Sequence, residues 1–332
     1  MTDFSKLMTD YFVKYLTQQK GSSSNTLKTY RDTMVQLLEF AKEKKKKSAD
    51  KLEISDFDYD TINDFLDYLE EVKGMSISTR NNRLSAVKSF FKYVGYHEPQ
   101  YLSVSASIRQ ITKKKTESKP MNYLSVNAIQ HFLESFDQSN HKELRCFCIV
   151  LLLYESGARV SELCNIHKYD LRLEKPYTLI LHGKGKKIRS VPLDNLVIET
   201  LKKYIKSYSV TDNDYLFFNT KKERLTREGV NYILHKYFER ARSRKSEIYP
   251  ATFSAHCLRH TKAMHLLENG VNLIYIRDFL GHTSVVTTEV YSKANPEIKR
   301  KHLESASKVL NIELDYTEEE SNELLNWLRQ NL

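Results

Sequence analysis

The sequence predicts a mainly α-helical chain in two domains: an N-terminal four-helix bundle, then a larger α+β domain carrying one small antiparallel hairpin. Three observations predict this. Apolar residues recur at helical spacing through the first hundred positions. A polar, basic, proline-ended stretch breaks that pattern between Gln110 and Asn122. Beyond it, a single strand–turn–strand stands among further helical stripes. The 332 residues suffice for two ordinary cores without forcing the division. With 40% hydrophobic and 28% charged residues, and only 9 Gly and 6 Pro, the chain is neither disordered nor fibrous.

The first helix is marked by Leu7, Tyr11, Phe12, Tyr15 and Leu16, and the second by Leu27, Tyr30, Met34, Leu37, Leu38 and Ala41, with Ser24 and Asn25 as cap candidates. Ile62, Phe65, Leu66, Leu69 and Val72 mark a third, capped by Asp60, and Leu84, Val87, Phe91 and Val94 a fourth, preceded by Ser78. Gly21-Ser22-Ser23 and Lys73-Gly74 supply the breaks. Short connections between such helices lead to a bundle over 1–109. The stretch 110–122 reads as a linker, either a solvated connector or a basic tether following a phosphate backbone. The run Lys44–Lys47 reads as a solvated loop.

In the second domain, 123–311, Cys146–Tyr154 is too short to span a bilayer and reads as a buried core helix. Tyr177–His182, the turn Gly183-Lys184-Gly185-Lys186-Lys187, and Ile188–Leu193 form the hairpin. Helical stripes resume at 196–204, 227–241, 261–267 and 274–280. After Tyr291, helix-like 298–310 leads to a segment 312–332 with Leu324, Leu325, Trp327 and Leu328 on one stripe. There is no solenoid repeat.

Net charge is +10 and the isoelectric point about 9.1, compatible with nucleic acid as partner. The C-terminal segment carries Glu313, Asp315, Glu318, Glu319, Glu320 and Glu323, so basic charge is concentrated upstream of it. Cys146, Cys148, Cys164 and Cys257 form no C-x-x-C pair and read as reduced, buried thiols. The N-terminus lacks a secretory profile. A cytoplasmic protein with no membrane segment is expected.

Four segments hold the chemistry: Gly157-Ala158-Arg159-Val160-Ser161-Glu162-Leu163, the Gly183–Arg189 turn, His256-Cys257-Leu258-Arg259-His260, and Leu280-Gly281-His282 with Tyr291 following. His256 and His260 share a helical face, but Cys257 occupies the place of the Glu in H-E-x-x-H, so no metal site is expected. No phosphate-cradling G-x-x-x-x-G-K-[ST] loop and no acidic metal cage stand in the sequence, so no cofactor is expected.

In order and separation these segments resemble the catalytic domain of the tyrosine recombinases, the phage integrase family that includes the Xer enzymes and transposon integrases. That family has an R-x-S-E helix, a G-K-G hairpin, H-x-L-R-H, L-G-H and a later Tyr. The helical N-terminal part resembles its SAM-like core-binding domain, so the likeness covers roughly residues 5–300. It implies site-specific recombination for a mobile element, in which a tyrosine hydroxyl attacks a backbone phosphate and the 3′-phosphotyrosine ester is returned to a 5′ hydroxyl without metal or ATP. A topoisomerase IB-like relaxing activity and a catalytically silent DNA-binding protein are the alternatives.

The resemblance assigns Tyr291 as nucleophile and Lys184 as general acid to the leaving oxygen. Arg159 and Arg259 are the guanidiniums for the nonbridging oxygens, where paired directional donors are needed. His256 and His282 contact the phosphate, His256 also helping to move the nucleophile's proton. Glu162 either orients Arg159 or supports a neighbouring helix, and His260 is expected as buried support. Lys28, Arg31, Arg80, Arg83, Lys88, Lys186, Lys187 and Arg189 are DNA-contact candidates, as phosphate contacts or solvated charges rather than base readers. The implied partners are duplex recombination sites, other copies of the chain (a dimer on one site, a tetramer in synapse) and accessory DNA-bending proteins. Segment 312–332 is expected to dock on a neighbouring protomer or on its own domain. No arm-binding domain is expected ahead of the bundle, which favours a simple recombinase over a complex phage integrase.

Overall fold

The computed structural model describes residues 3–116, 121–183, 185, 187–282, 284, 288–289, 291, 326–327 and 329–330. The chain divides into two compact units, Met1–Lys119 and Pro120–Leu332. Among the described residues no helix is long and apolar enough to cross a membrane.

The first unit contains α1 (Asp3–Asp10), which continues as a wider π-helical segment Tyr11–Gln19, then α2 (Ser24–Lys45), α3 (Tyr59–Asp67), α4 (Ile77–His97) and α5 (Leu102–Gln110). Its core joins Tyr11, Leu37, Ile62, Phe65, Leu84, Phe90 and Phe91. The periodic stripes locate the helices, but the caps fall one or two residues earlier than expected. Ser23, Asp58 and Ser76 accept the backbone N–H groups of Thr26, Thr61 and Thr79. α5 lies beyond the four expected helices; its buried positions are only Ser105 and Ile108, too few to show a period. The Asn81 side chain donates to the Lys114 carbonyl and accepts from its N–H, so the chain beyond α5 is held against α4.

The second unit contains α6 (Val126–Glu134), α7 (His141–Ser156), the short α8 (Val160–Leu163), β1 (Leu171–Arg172), β2 (Thr178–His182), β3 (Ile188–Pro192), α9 (Asn195–Tyr208), α10 (Arg227–Arg242), α11 (Ala255–Glu268) and α12 (Leu273–Leu280). The antiparallel sheet has order β1-β2-β3, with Leu179 opposite Val191 and Leu181 opposite Arg189. The expected hairpin is β2–β3; β1, two residues long, carries no alternation to read. α7 is the central helix, with Cys148, Ile149, Val150, Leu152 and Leu153 wholly buried. Such aliphatic side chains each contribute about 2 kcal/mol by leaving water. All four cysteines are free and buried, Cys146 and Cys148 within α7. A second, smaller cluster of Ala263, Met264, Leu267, Ile276 and Leu280 packs α11 against α12 and encloses Tyr291.

Candidate active site

Two left-handed glycines set the frame. Gly157 (φ 57°) ends α7 and Gly281 (φ 66°) ends α12, a conformation that costs a side-chain-bearing residue strain. Both also sit where the chain comes close to neighbours. A Cβ on Gly157 would stand 3.0 Å from Leu280 and Phe279, and one on Gly281 would stand 3.1 Å from the Arg189 side chain. The C-termini of α7 and α12 are thereby brought together, and the carbonyl-rich negative ends of two helices face one region.

Arg259, projecting from α11, fills that region. Only 1% exposed, it donates from one guanidinium nitrogen to the Gly157 carbonyl (2.5 Å) and from the other to the Leu280 carbonyl (2.6 Å). Burial, and then the nearby charges of Arg159 and Arg189, lower its pKa to about 10, so it stays cationic at neutral pH. A buried cation of this kind is tolerable only because oriented dipoles replace its water.

The second guanidinium, Arg159, precedes α8. Its Nη1 donates to Glu162 Oε1 (2.7 Å), and Glu162 Oε2 accepts the Arg159 backbone N–H (2.9 Å). Glu162 is 4% exposed and also accepts from Arg189 Nη2 (2.7 Å). Burial pushes the Glu162 carboxyl up, but the Arg189 and Arg159 hydrogen bonds and charges outweigh it and hold the pKa below the ordinary range. Glu162 is therefore a carboxylate bridging two arginines. Gly183, where the hairpin turn begins, is close to this bridge: a Cβ there would stand 3.5 Å from Glu162 Oε1. Lys184 and Lys186 lie outside the described residues.

Three histidines complete the cluster. His256 and His260 lie one turn apart on α11 with ring centroids 4.8 Å apart, and His256 is exposed. The His282 Nδ1 shares a 3.1 Å hydrogen bond with the Thr288 hydroxyl. All three are held in the neutral form. Desolvation is the main cause throughout, and it reaches even His256, whose ring packs on His260 although the residue keeps an open side to solvent. Arg259 and Arg159 add to it for His256, and His256 and Arg259 take His260 to about 4. Arg259, Arg159, His256 and Arg189 take His282 to about 4.

Tyr291 is 2% exposed, and its hydroxyl lies 3.1 Å from His260 Nδ1. The His282 ring is parallel to it at 6.5 Å. Burial raises the phenol's pKa, while Arg259 and Arg159 pull it back. Of the expected groups, Arg159, His256, Arg259, His282, Glu162, His260 and Tyr291 thus converge around one point. Neutral imidazoles, two fixed guanidiniums and a phenol together make a site for a tetrahedral anion and a proton-coupled attack on it.

The expected DNA contacts fare differently. Arg189, expected at the groove, points inward: its side chain is 11% exposed, and Nε donates to the Phe279 carbonyl (3.0 Å) while Nη2 holds Glu162. Arg80, expected as a DNA contact, has a side chain 5% exposed and aimed at Glu70 and Asp67. Arg83 donates to the Thr29 carbonyl and Thr33 hydroxyl, and Lys88 to the Arg109 carbonyl. The reason is common to all three in the bundle: α4 is buried on several sides, so its basic residues meet α2, α3 and α5 before they meet water. Lys28, Arg31 and Lys187 are exposed, Arg31 beside Asp32. His265 does not join His256 and His260. Tyr154 and the Leu124 carbonyl hold its two nitrogens. Among the described residues no group of three or more His, Cys, Asp or Glu could hold a metal ion.

Two residues were missed in their roles. Arg189 as the brace of Glu162 was signalled only by its place on β3, across the strand pair from the buried Leu181. Thr288, buried and bonded to His282, stood in the sequence as one of two adjacent threonines with nothing to distinguish it.

Comparison with known proteins is consistent along the chain. Residues 122–297 match the phage integrase family, and residues 9–95 match the phage integrase N-terminal SAM-like domain. The tyrosine recombinase XerA of Thermococcus onnurineus is 31% identical over 292 residues, covering 86% of this chain and 91% of its own. Tyrosine recombinase XerC of Staphylococcus carnosus is 30% identical over 293 residues, 87% of this chain and 93% of its own. Two solved structures share the fold. One is the XerH site-specific recombinase bound to a palindromic difH substrate, with TM-score 0.65 at 24% identity over 82% of this chain and 77% of that one. The other is the Tn1549 transposon integrase with transposon right-end DNA, with TM-score 0.70 at 17% identity over 90% and 98%.

Proposed function

Because this chain belongs to the phage integrase family of tyrosine recombinases, it is a DNA strand-transferring enzyme, and we propose that it serves a mobile element by cleaving DNA with the phenol of its own Tyr291. The observation that carries this reading is the place of the Tyr291 hydroxyl, 3.1 Å from His260 Nδ1, within reach of the charges of Arg259 and Arg159 and with the His282 ring parallel at 6.5 Å.

In this reading Arg159 and Arg259 bind the nonbridging oxygens of one phosphate. Negative charge grows there as the phenol adds, and donors fixed in advance stabilise it without reorganising. Glu162 supports the reading by clamping Arg159 from two atoms, and the helix-end carbonyls do the same for Arg259. Neutral His256 and His282 donate to the phosphate without competing for the charge the arginines answer. Lys184 gives the leaving 5′ oxygen its proton. The ester formed on Tyr291 keeps the energy of the broken bond, so attack by another 5′ hydroxyl reseals the strand.

Duplex DNA is the proposed partner; the XerH and Tn1549 structures hold their DNA substrates. Two copies of this chain on one site and four in synapse are proposed. Lys28, Arg31, Lys186 and Lys187 are the proposed phosphate contacts. Segment 312–332, of which only 326–327 and 329–330 fall within the described residues, is proposed to dock on a neighbouring protomer. The chain is proposed to act in the cytoplasm.

The test incubates the full chain with nicked duplexes carrying the flanks of its own gene, in EDTA, followed by denaturing electrophoresis. The expected result is a covalent protein–DNA adduct that disappears in Tyr291→Phe. An adduct surviving that substitution rejects Tyr291. Relaxation of supercoiled plasmid without strand exchange would instead favour a topoisomerase.

A further inference from the structure

The Tyr291 hydroxyl does not meet His256, the histidine expected to receive its proton; it meets His260, at 3.1 Å. His260 lies one helical turn from His256 on α11, with the two rings edge to face at 4.8 Å, and its own ring approaches Tyr291 edge-on at 5.6 Å. His256 is exposed, whereas Tyr291 is sealed in the small apolar cluster between α11 and α12. A phenol so enclosed is shielded from bulk solvent, and among the described residues the group within hydrogen-bond reach of its proton is His260 Nδ1.

We propose that His260 is a catalytic residue: its Nδ1 takes the phenolic proton of Tyr291 as the phenol attacks phosphorus, leaving His256 to bind the phosphate. The proposal rests on the reading of Tyr291 as nucleophile. As the Oη–P bond forms and the P–O5′ bond breaks, the phenolic proton moves to His260 and the 5′ oxygen takes a proton from Lys184. On rejoining, both protons return. The resting state this requires is an imidazole with its proton on Nε2 and Nδ1 accepting from the phenol. Facing His260 are His256 and Arg259 from its own helix and Tyr291 itself. Beyond the phenol ring lies His282, and Arg159 acts on the phenol. Burial first, and then His256 and Arg259, hold the pKa of His260 down to about 4, so the ring is unprotonated at one nitrogen across the neutral range and Nδ1 can accept from the phenol.

The experiment uses the full chain on the nicked duplexes of the preceding section, in single turnover from pH 6 to 9. His260→Asn retains a hydrogen-bonding group where Nδ1 stood but no basic one. It is expected to slow cleavage at pH 7 by about 100-fold, the lower end of general-base effects, and to recover as hydroxide rises toward pH 9. A rate within about threefold of the parent at pH 7, or a slowing uniform across pH, overturns the proposal, because a structural role predicts no pH slope. The second measurement needs no variant of His260: nitrogen-15 spectra of labelled histidine in the unmodified chain and in Tyr291→Phe. The expected signal is an Nε2–H tautomer whose Nδ1 shift changes when the phenol is lost; an Nδ1–H tautomer overturns the proposal. Running Tyr291→Phe in the cleavage assay separates the two readings. An adduct that survives it sinks the nucleophile assignment itself, whereas loss of the adduct with an unaffected His260→Asn sinks only the proton acceptor.

Discussion

Replacing Glu162 by Gln tests how the arginines are held. The carboxylate is 4% exposed and takes three hydrogen bonds: from the Arg159 side chain (2.7 Å), the Arg159 backbone (2.9 Å) and Arg189 (2.7 Å). The amide has one oxygen. It keeps the Oε2 pair of bonds only by turning its NH2 toward Arg159 Nη1, so one charged bond is lost and a donor faces a donor. Arg189, with a side chain 11% exposed, is also left without its counter-charge. Removing one partner of a buried ion pair costs about 3–5 kcal/mol; with one oxygen retained and the Arg159 side chain 34% exposed, the lower end applies, about 3 kcal/mol. For the unit Pro120–Leu332 that corresponds to a fall in Tm of about 6–12 °C. Hydrogen exchange of peptides from α7 through a urea titration reads this unit alone, apart from the N-terminal bundle. Single-turnover cleavage should fall with it, since Arg159 is released from its clamp. In a double-mutant cycle, Glu162→Gln and Arg189→Met should couple by at least about 1.5 kcal/mol. A loss below about 0.5 kcal/mol for Glu162→Gln, or additivity in the cycle, would refute the bridge as the element that fixes both guanidiniums.

The remaining predictions concern the same cluster. His260 and His282 have pKa values near 4 against an ordinary 6.5, so the fold prefers their neutral forms. That stability is complete above the unfolded value and is lost as pH falls through 6.5 toward 4, by up to about 3 kcal/mol for each; urea midpoints of the catalytic unit at pH 7, 6, 5 and 4 should fall progressively, and a flat profile contradicts the depressed values. Arg259→Lys removes the second carbonyl contact and the paired donors, and cleavage should drop by about 100-fold or more with DNA binding largely retained, as a gel-shift run beside the cleavage assay would reveal. Gly157→Ala puts a Cβ 3.0 Å from Phe279 and Leu280 at a left-handed φ, which should destabilise the unit by about 2 kcal/mol and shift the Gly157 carbonyl that holds Arg259. An unchanged melting temperature for that variant would show that the close approach is relieved at no cost.

The sequence alone determined the helical stripes, the β2–β3 hairpin, the buried apolar helix α7 and the family, because each is written in local spacing: a period of 3.6, a period of 2, or a short motif. It placed the caps one or two residues late and gave no sign of α5 or β1, where the signal spans too few residues to show a period. Tertiary structure alone decided which charge faces which. Arg189 and Arg80 carry the same basic side chain as Arg31, yet the first two turn inward to carboxylates and the third stands in solvent, since burial depends on which elements pack against that face. Likewise, the i, i+4 spacing shows that His256 and His260 share a helical face, but not which ring meets the phenol. That is settled where Tyr291 packs among the apolar residues of α11 and α12, joining two residues 31 positions apart across space where no periodicity reaches.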